Sequence, residues 1–244
     1  MRRASIVSRL LSLTMRSMTP LVERLRVSNL DADLLALAGD DVRTIFDIGA
    51  NIGQSAASFA AMFPGASIFA FEPLPQACQS IKVLGIPQVE VIEAAVGAST
   101  GSAMLHVNAD SRTNSLLAPN LIGRELFGDM LEEQSQRNVK VISVDDFCDA
   151  RRITAIDVLK IDAQGSELLV LEGATRTLPR CRIIQVEANF VAQYEGSATF
   201  GKMDSYLRDR GWDFYNMYQL WRDSKSHRLI FANCLYLNSA PGKG

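Results

Sequence analysis

Four acidic residues stand at the ends of short apolar runs, where each could take part in chemistry at one edge of a sheet. Asp47 and Glu72 end the first two runs, and Asp162 and Glu187 end two later ones. In an open parallel sheet, ligands bind beyond the carboxyl ends of the strands. A single acid at such a place is often only a helix cap or a turn residue. Four acids in register predict a site at this edge.

The loop after the first run reads DIGANIG and resembles a nucleotide-binding loop with one important change. Gly49 and Gly53 let the backbone turn tightly and approach a ligand, as in the dinucleotide-binding pattern G-x-G-x-x-G. Here Asn51 replaces the middle glycine, and Asp47 precedes the first one. A carboxylate at that position repels a diphosphate and attracts an ammonium group.

Glu72 lies 19 residues after Gly53 (72 − 53), which is about the spacing at which an acid on the second strand binds ribose hydroxyls. Together with Asp47, it predicts a ligand that has a ribose at one end and a cationic amino-acid group at the other. S-adenosylmethionine has both groups and no phosphate. The adenine is expected near the end of the third strand, at Glu93, Ala94 and Ala95.

Short apolar runs alternate with helical patterns from residue 43 onward, which is typical of βαβ units and a parallel sheet. Strands are predicted at 43–48, 67–71, 89–95, 156–161 and 182–187, and helices at 53–63, 74–83, 145–150 and 166–178. Two strand-like stretches at 213–221 and 229–237 close the chain. The polar turn between them predicts an antiparallel hairpin at one edge of the sheet.

A series of motifs extends over about residues 43–190. They are DIGANIG, FEP at 71–73, AAVG at 94–97, VISVDDF at 141–147, LKIDAQGSELLVLEGA at 159–174 and QVEAN at 185–189. This series resembles the FkbM family of S-adenosylmethionine-dependent methyltransferases, and LKID-x-x-G-x-E is its most specific part. The resemblance implies a Rossmann-like class I α/β fold: a seven-stranded, mostly parallel sheet with an antiparallel C-terminal strand and helices on both faces. Where the family commonly reads DVEG, this chain has Asp162-Ala163-Gln164-Gly165.

The family members methylate hydroxyl groups of sugars, polyketides and similar natural products, so the resemblance implies an O-methyltransferase with a small-molecule or glycan acceptor. Asp162 is the candidate to accept the proton of the acceptor hydroxyl, although it could instead cap the following helix. Glu187 and Asn189 are expected to contact the acceptor or to orient Asp162. These groups could also hold a divalent metal, but a third ligand is missing, and no metal is predicted.

Residues 103–107 and 139–142 resemble strands, and the segment 108–138 between them has few periodic features. A connection of this length is typical of a lid or a binding segment. Its stretch SRTNSL offers hydroxyls and amides, among them Ser115, that are suited to a polar acceptor. An ordinary polar loop is an equal alternative.

Four further residues are expected to have packing roles only. Lys160 is expected to lie within its strand and to extend its ammonium group to the sheet's edge. Tyr215, Tyr218 and Trp221 are expected to pack the last strands rather than to stack on a sugar.

Length, charge and cysteine content limit the classes of protein that fit this sequence. The chain of 244 residues is 48% hydrophobic, and its net charge of −2 gives no field that favours nucleic acid. A methyltransferase domain is predicted over residues 41–240, after a helical segment over residues 1–40. Four scattered cysteines without a C-x-x-C pair indicate buried, reduced thiols and a cytoplasmic location. The oligomeric state stays open.

The N-terminal stretch MRRASIVSRLLSLTMRSM has a basic amphipathic pattern, with Arg2, Arg9 and Arg16 on one helical stripe. We expect this helix to pack on the domain. Peripheral contact with an anionic membrane surface is an alternative, and so is an organelle transit peptide.

Two other functions fit parts of the sequence. A nicotinamide-dependent oxidoreductase shares the fold, but it needs a phosphate-binding glycine loop and a hydride-transfer pair such as Tyr-x-x-x-Lys, and neither is found. A non-catalytic cofactor-binding module is the other alternative. Intact acids at four strand ends argue against it.

Overall fold

The computed structural model describes residues 29–239 and places a seven-stranded sheet at the centre of the fold. The strands are β1 Thr44–Ile48, β2 Ser67–Phe71, β3 Val89–Ile92, β4 Ala95–Val96, β5 Gly101–Asn108, β6 Glu133–Ile142, β7 Ile156–Ile161, β8 Cys181–Asn189, β9 Trp212–Arg222 and β10 Leu229–Asn238. The central sheet has the order β3-β2-β1-β7-β8-β10-β9. Pairs from β3 to β8 are parallel, and β10 is antiparallel to both neighbours. The predicted mixed sheet and its C-terminal hairpin are therefore confirmed.

Helices cover both faces of this sheet. They are α1 Leu30–Ala38, α2 Gln54–Met62, α3 Pro75–Val83, α4 Leu121–Phe127, α5 Val144–Arg151, α6 Glu167–Glu172 and α7 Phe200–Arg208. Adjacent residues of β1 point to opposite faces: Ile45 packs in a core with Leu34 of α1, and Phe46 packs in a second core with Phe147 of α5. Because both faces are buried, the central strands are almost continuously apolar.

A second sheet of three strands, in the order β4-β6-β5, corrects one predicted strand. The apolar run 89–95 does not form a single strand, because the chain leaves the central sheet after Ile92. Ala95 instead pairs in parallel with Val141 of β6. The apolar pattern continues across this bend because Ala94 and Ala95 are buried as well.

The connection predicted over 108–138 is shorter and more ordered than expected. Strand β6 already begins at Glu133 and pairs with β5 in an antiparallel hairpin. Between these strands lie α4 and two 3₁₀ turns, Ser111–Thr113 and Gly128–Leu131.

Two helical expectations also need correction. The predicted helix 166–178 ends at Glu172, where Gly173 packs so closely on the backbone that a Cβ there would lie 2.1 Å from the carbonyl oxygen of Gly97. Helix α7 was not predicted. The four cysteines are free and buried, as expected. Within residues 29–239, no helix is long and apolar enough to cross a membrane. The predicted helix at the N-terminus lies outside the described residues.

Candidate active site

One cavity of about 750 Å³ opens at the carboxyl ends of the parallel strands. Three of the four predicted strand-end acids line it, namely Glu72, Asp162 and Glu187. Of the other predicted site residues, Gly49, Asn51, Ala95 and Ser115 line it as well, whereas Asp47, Gly53 and Asn189 do not.

The glycine loop packs directly on the turn after β7. Gly49 has φ +73°, and a Cβ on it would lie 1.8 Å from the carbonyl oxygen of Asp162. Only glycine allows this approach. Gly53, with φ +96°, is the N-cap of α2 and packs against Leu84, the residue that follows α3. The loop therefore joins the ends of β1 and β7 into one surface.

Glu72 is placed by the same loop. Its Oε2 accepts a hydrogen bond from the Asn51 backbone N–H at 3.0 Å, and its Oε1 accepts one from Leu74 N–H at 2.9 Å. Glu72 as a whole is only 7% exposed. Burial raises the pKa of the Glu72 carboxyl to about 7, although both backbone hydrogen bonds oppose the shift. Each carboxylate oxygen keeps a lone pair for a ligand hydroxyl.

Asp47 lies beneath the glycine loop and is fully buried. Its Oδ2 accepts a hydrogen bond from Ser55 Oγ at 2.6 Å, and Lys160 Nζ lies 3.0 Å from its Oδ1. Within the described part of the chain, Oδ1 has no aligned hydrogen-bond donor, so the contact with Lys160 is an ion pair. The charge of Asp47 is thus balanced from within the fold.

Lys160 lies within β7 and carries its ammonium group to the carboxyl edge of the sheet, as expected, but the group is buried there and lines the base of the cavity. Its ammonium group donates to the carbonyl oxygens of Ile48 at 3.2 Å and Gly49 at 2.9 Å. Burial by itself lowers the pKa of Lys160, but the negative charges of Asp47 and Asp162 outweigh it and raise the pKa. A buried cation therefore holds the base of the glycine loop.

Asp162 and Glu187 are joined by the side-chain amide of Gln164. Its Nε2 donates to Asp162 Oδ1 at 2.7 Å and to Glu187 Oε1 at 3.2 Å. The Asp162 side chain remains 33% exposed. Burial, and next the charges of Asp162 and Glu167, raise the pKa of Glu187 well above 4.5. The cavity thus presents one accessible carboxylate beside a second carboxyl group that resists ionisation.

Glu167 supports the turn that carries Asp162. It is 3% exposed, and its Oε1 accepts hydrogen bonds from Ala163 N–H at 3.1 Å and Gly165 N–H at 2.9 Å. Burial raises the pKa of Glu167 to about 7. Glu167 is the last residue of LKID-x-x-G-x-E, and in this chain it supports the turn within that motif.

Ser115 and Asn189, both predicted to contact the acceptor, have internal partners. Ser115 Oγ lines the cavity but donates its proton to the backbone oxygen of Gln164 at 2.6 Å. Asn189 is 3% exposed, and its Oδ1 accepts a hydrogen bond from Gln193 Nε2 at 2.7 Å. The structure brings Ser115 to the site and leaves Asn189 outside it.

Aromatic rings form the wall of the cavity beside the C-terminal hairpin. Trp221 stacks on Phe127 of α4 at 4.9 Å between ring centroids and on Phe231 of β10 at 5.4 Å, and all three line the cavity. The expectation that Trp221 only packs the core is therefore wrong. Tyr218, in contrast, is buried, and its hydroxyl donates to Asp33.

Several site residues were missed by sequence reasoning, and the family motif offered a signal for two of them. Lys160 and Glu167 belong to LKID-x-x-G-x-E, yet only the strand register places Lys160 opposite Asp47. Gln164 and Tyr194 carry no comparable signal. Among residues 29–239, no group of three or more His, Cys, Asp or Glu side chains could hold a metal ion.

The strand order, with its reversed strand before the edge, and the glycine loop beneath the cavity define a Rossmann-like class I methyltransferase. The chain belongs to the FkbM methyltransferases, since the Methyltransferase FkbM domain matches residues 47–214. The family resemblance is thereby confirmed, and the nicotinamide alternative is set aside. The cofactor of this class is S-adenosylmethionine.

The individual proteins compared with this chain have sequence identities of 30% or less. The 2-O-methyltransferase NoeI of Sinorhizobium fredii (strain NBRC 101917 / NGR234) is 30% identical over 160 residues, which cover 62% of this chain and 65% of that protein. The chain therefore spans slightly less than two thirds of that relative's length. Among solved structures, a precorrin-6y C5,15-methyltransferase from Geobacter metallireducens is 16% identical, with a TM-score of 0.46 and coverage of 85% and 87% of the two chains. TrmK of M. capricolum is 10% identical, with a TM-score of 0.48 and coverage of 87% and 69%.

Proposed function

We propose that this protein transfers a methyl group from S-adenosylmethionine to a hydroxyl oxygen of a sugar, glycan or natural product. The observation that carries this proposal is the accessible carboxylate of Asp162, which lines the same cavity as Glu72 and the glycine loop. The 30% identity to a 2-O-methyltransferase supports oxygen as the methylated atom.

The residues present suit this cofactor. The carboxylate of Glu72 would accept the ribose hydroxyls, and the tight backbone at Gly49 and Asn51 leaves room for the ligand. Ala95 offers an apolar contact for the adenine. We assign Asp47 to the amino-acid end through its negative charge beneath this loop; its side chain is fully buried and paired with Lys160, so it would act through the loop rather than by direct contact.

Bound S-adenosylmethionine supplies an electrophilic methyl group on a sulfonium. The chain's own task is to hold the acceptor oxygen in line and to remove its proton. Asp162 is the group that accepts this proton, because its carboxylate faces the cavity. Glu187 orients Asp162 through the shared amide of Gln164.

The aromatic wall supports an acceptor with an apolar face. Phe127, Trp221 and Phe231 lie on one side of the cavity, with the paired amides of Gln219 and Asn233 beside them. Arg112 also lines the cavity, but its charge is matched by Asp110. A neutral ring with hydroxyl groups fits these surroundings better than a charged acceptor does.

Calorimetry with S-adenosylmethionine and NADH, followed by assays for S-adenosylhomocysteine release with pooled glycan and lipid-linked acceptors, tests the proposal. We expect Asp162→Asn to abolish release while cofactor binding persists. The exposed Asp129→Asn, which does not line the cavity, is the control. Binding without release from any acceptor pool would favour a non-catalytic module, and full activity of Asp162→Asn would remove the assigned base.

A further inference from the structure

The turn after β7 contains a residue in a rare conformation. Gln164 has φ +48°, in the left-handed region that residues other than glycine seldom adopt. Such conformations persist where the surroundings fix them, and they cluster at active sites.

Three elements fix the backbone of the turn. Ser115 Oγ donates to the carbonyl oxygen of Gln164 at 2.6 Å, from the connection between β5 and β6. Glu167 of α6 accepts from the backbone N–H groups on both sides of Gln164. Gly165 lies against Tyr194, since a Cβ on Gly165 would be 2.8 Å from the ring. These contacts together hold the backbone of the turn in the observed conformation.

The side chain is oriented as firmly as the backbone. Tyr194 O–H, which also lies 2.9 Å from the carbonyl oxygen of Thr113, reaches Gln164 Oε1 at 3.1 Å. Burial raises the pKa of Tyr194, so the phenol remains a donor. The NH₂ group of Gln164 faces the acceptor oxygens of Asp162 and Glu187, and its Oε1 shares the single Tyr194 proton with the Thr113 carbonyl oxygen. The two carboxyl groups thus share one neutral donor.

We propose that Gln164 is a positioning residue, a neutral clamp that fixes the spacing of Asp162 and Glu187 and leaves Asp162 Oδ2 available to the acceptor. This inference rests on the proposed function. An ionised glutamate at this position could not donate to either neighbour. The amide therefore allows both carboxyl groups to share one neutral donor.

Few positive charges could offset a third acid here. The charged or titratable groups around the pair are Lys160 of β7, Asp47 of β1, Glu72 after β2, Glu167 of α6, Tyr194 after β8, and Arg112 with Asp110 in the β5–β6 connection. Lys160 Nζ lies 3.9 Å from Asp162 Oδ2, but it is already paired with Asp47. An added carboxylate would hinder ionisation of its neighbours.

Gln164→Glu tests the proposal because it keeps the shape and adds a carboxyl group. We expect ¹³C NMR of labelled Asp and Glu carboxyl groups to show the Asp162–Glu187 pair titrating at least about one pH unit higher. The acid limb of the kcat–pH profile should move by the same amount. Gln88→Glu, outside the cavity, is the matched control and should move neither.

Tyr194→Phe is the second variant, because it frees the amide without adding charge. We expect kcat to fall about three- to tenfold with an unchanged pH profile and a cofactor Kd within about twofold, in keeping with loss of one neutral hydrogen bond. Unshifted carboxyl titration in Gln164→Glu would overturn the proposal. If Gln164→Glu fails to fold, wild-type kcat in Tyr194→Phe would overturn it.

The NMR titration needs no acceptor. The role of Gln164 can therefore be tested independently of the proposed methyl transfer to a hydroxyl. A shifted titration without methyl transfer to any hydroxyl would retain the clamp and remove the proposed acceptor chemistry. Methyl transfer with an unshifted titration would retain the chemistry and remove the clamp.

Discussion

Lys160 Nζ lies 3.0 Å from Asp47 Oδ1, and the parallel register of β7 and β1 sets the two residues opposite each other. Their side chains are 7% and 0% exposed. Loss of one partner of a buried pair leaves an uncompensated charge, which costs about 3–5 kcal/mol. We expect Lys160→Met to lower the free energy of unfolding by this amount, measured by urea denaturation.

The double variant Lys160→Met/Asp47→Leu should recover most of that loss, because apolar residues can replace a buried pair at little cost. The exposed Lys82→Met on α3 is the control. An effect of Lys160→Met as small as that of Lys82→Met would contradict the importance of the pair.

Gly49→Ala should disrupt the junction between the glycine loop and Asp162. The new Cβ would lie 1.8 Å from a backbone oxygen, which cannot move without shifting β7. Gly196→Ala is a close control, because Gly196 has the same φ of +73° and a Cβ added to it would meet no heavy atom within 4 Å. We expect Gly196→Ala to lower the free energy of unfolding by about 1–2 kcal/mol, from backbone conformation alone. For Gly49→Ala we expect a loss of at least about 4 kcal/mol.

Both effects can be measured by thermal and urea unfolding, with cofactor binding followed by calorimetry. Equal losses in the two variants would show that backbone conformation, rather than the contact with Asp162, explains the glycine.

Cofactor affinity should rise with pH through the titration of Glu72. The pKa of this carboxyl is about 7 in the free protein because burial raises it. The ionised form accepts ribose hydroxyls, so protonation weakens binding, by up to about tenfold for each pH unit below the pKa. Calorimetry with S-adenosylmethionine between about pH 6 and 8 measures this.

Glu72→Gln provides the control for that titration. Its affinity should be weaker at high pH and should lack the Glu72-dependent part of the pH dependence. Identical slopes in the variant and the wild type would assign the pH dependence to another group.

The free energy of unfolding should decrease as the pH rises, because of Glu167, whereas the cofactor affinity should increase. Its pKa is raised in the folded protein from 4.5 to about 7. The folded state therefore binds this proton more tightly, so the stabilisation is complete below about pH 4.5 and is lost as the pH rises to about 7. The full shift corresponds to about 3 kcal/mol. Urea unfolding at several pH values should show a smaller decline in Glu167→Gln, while the exposed Glu172→Gln on the same helix should retain the wild-type decline.

The strand-end acids show what the sequence could predict. Glu72 and Asp162 follow apolar runs, and the ends of parallel strands meet at one edge, so their arrival at the cavity follows from local pattern and topology. The pairing of Asp47 with Lys160 could not be predicted from local pattern. Lys160 lies more than a hundred residues further along the chain, and the register that sets the two residues opposite each other arises only in the assembled sheet. The run 89–95 is predicted as one strand because Ala94 and Ala95 continue its apolar pattern, although the chain bends at the exposed Glu93 and the two alanines leave the central sheet.

Trp221 illustrates a second limit. Its alternation in β9 is that of an ordinary strand residue, and its position at the cavity depends on where α4 places Phe127. The orientation of Gln164 depends likewise on Tyr194, which reaches it from a different loop. Contacts of this kind arise from tertiary packing and leave no local periodicity.

Trp221→Ala should separate acceptor binding from cofactor binding. The ring stands between Phe127 and Phe231 in the cavity wall, and we expect its loss to raise KM for the acceptor about tenfold, since a buried aromatic contact is often worth about 1–2 kcal/mol or more. The cofactor Kd should stay within about twofold, because Glu72 and the glycine loop are untouched. Tyr215→Ala in the same strand is the matched control, as Tyr215 is 45% exposed and does not line the cavity. Steady-state kinetics with an acceptor found in the pooled assays give both constants. An unchanged KM in Trp221→Ala would place the acceptor elsewhere, and a rise in both KM and cofactor Kd would mean that the aromatic wall supports the whole cavity instead of one ligand.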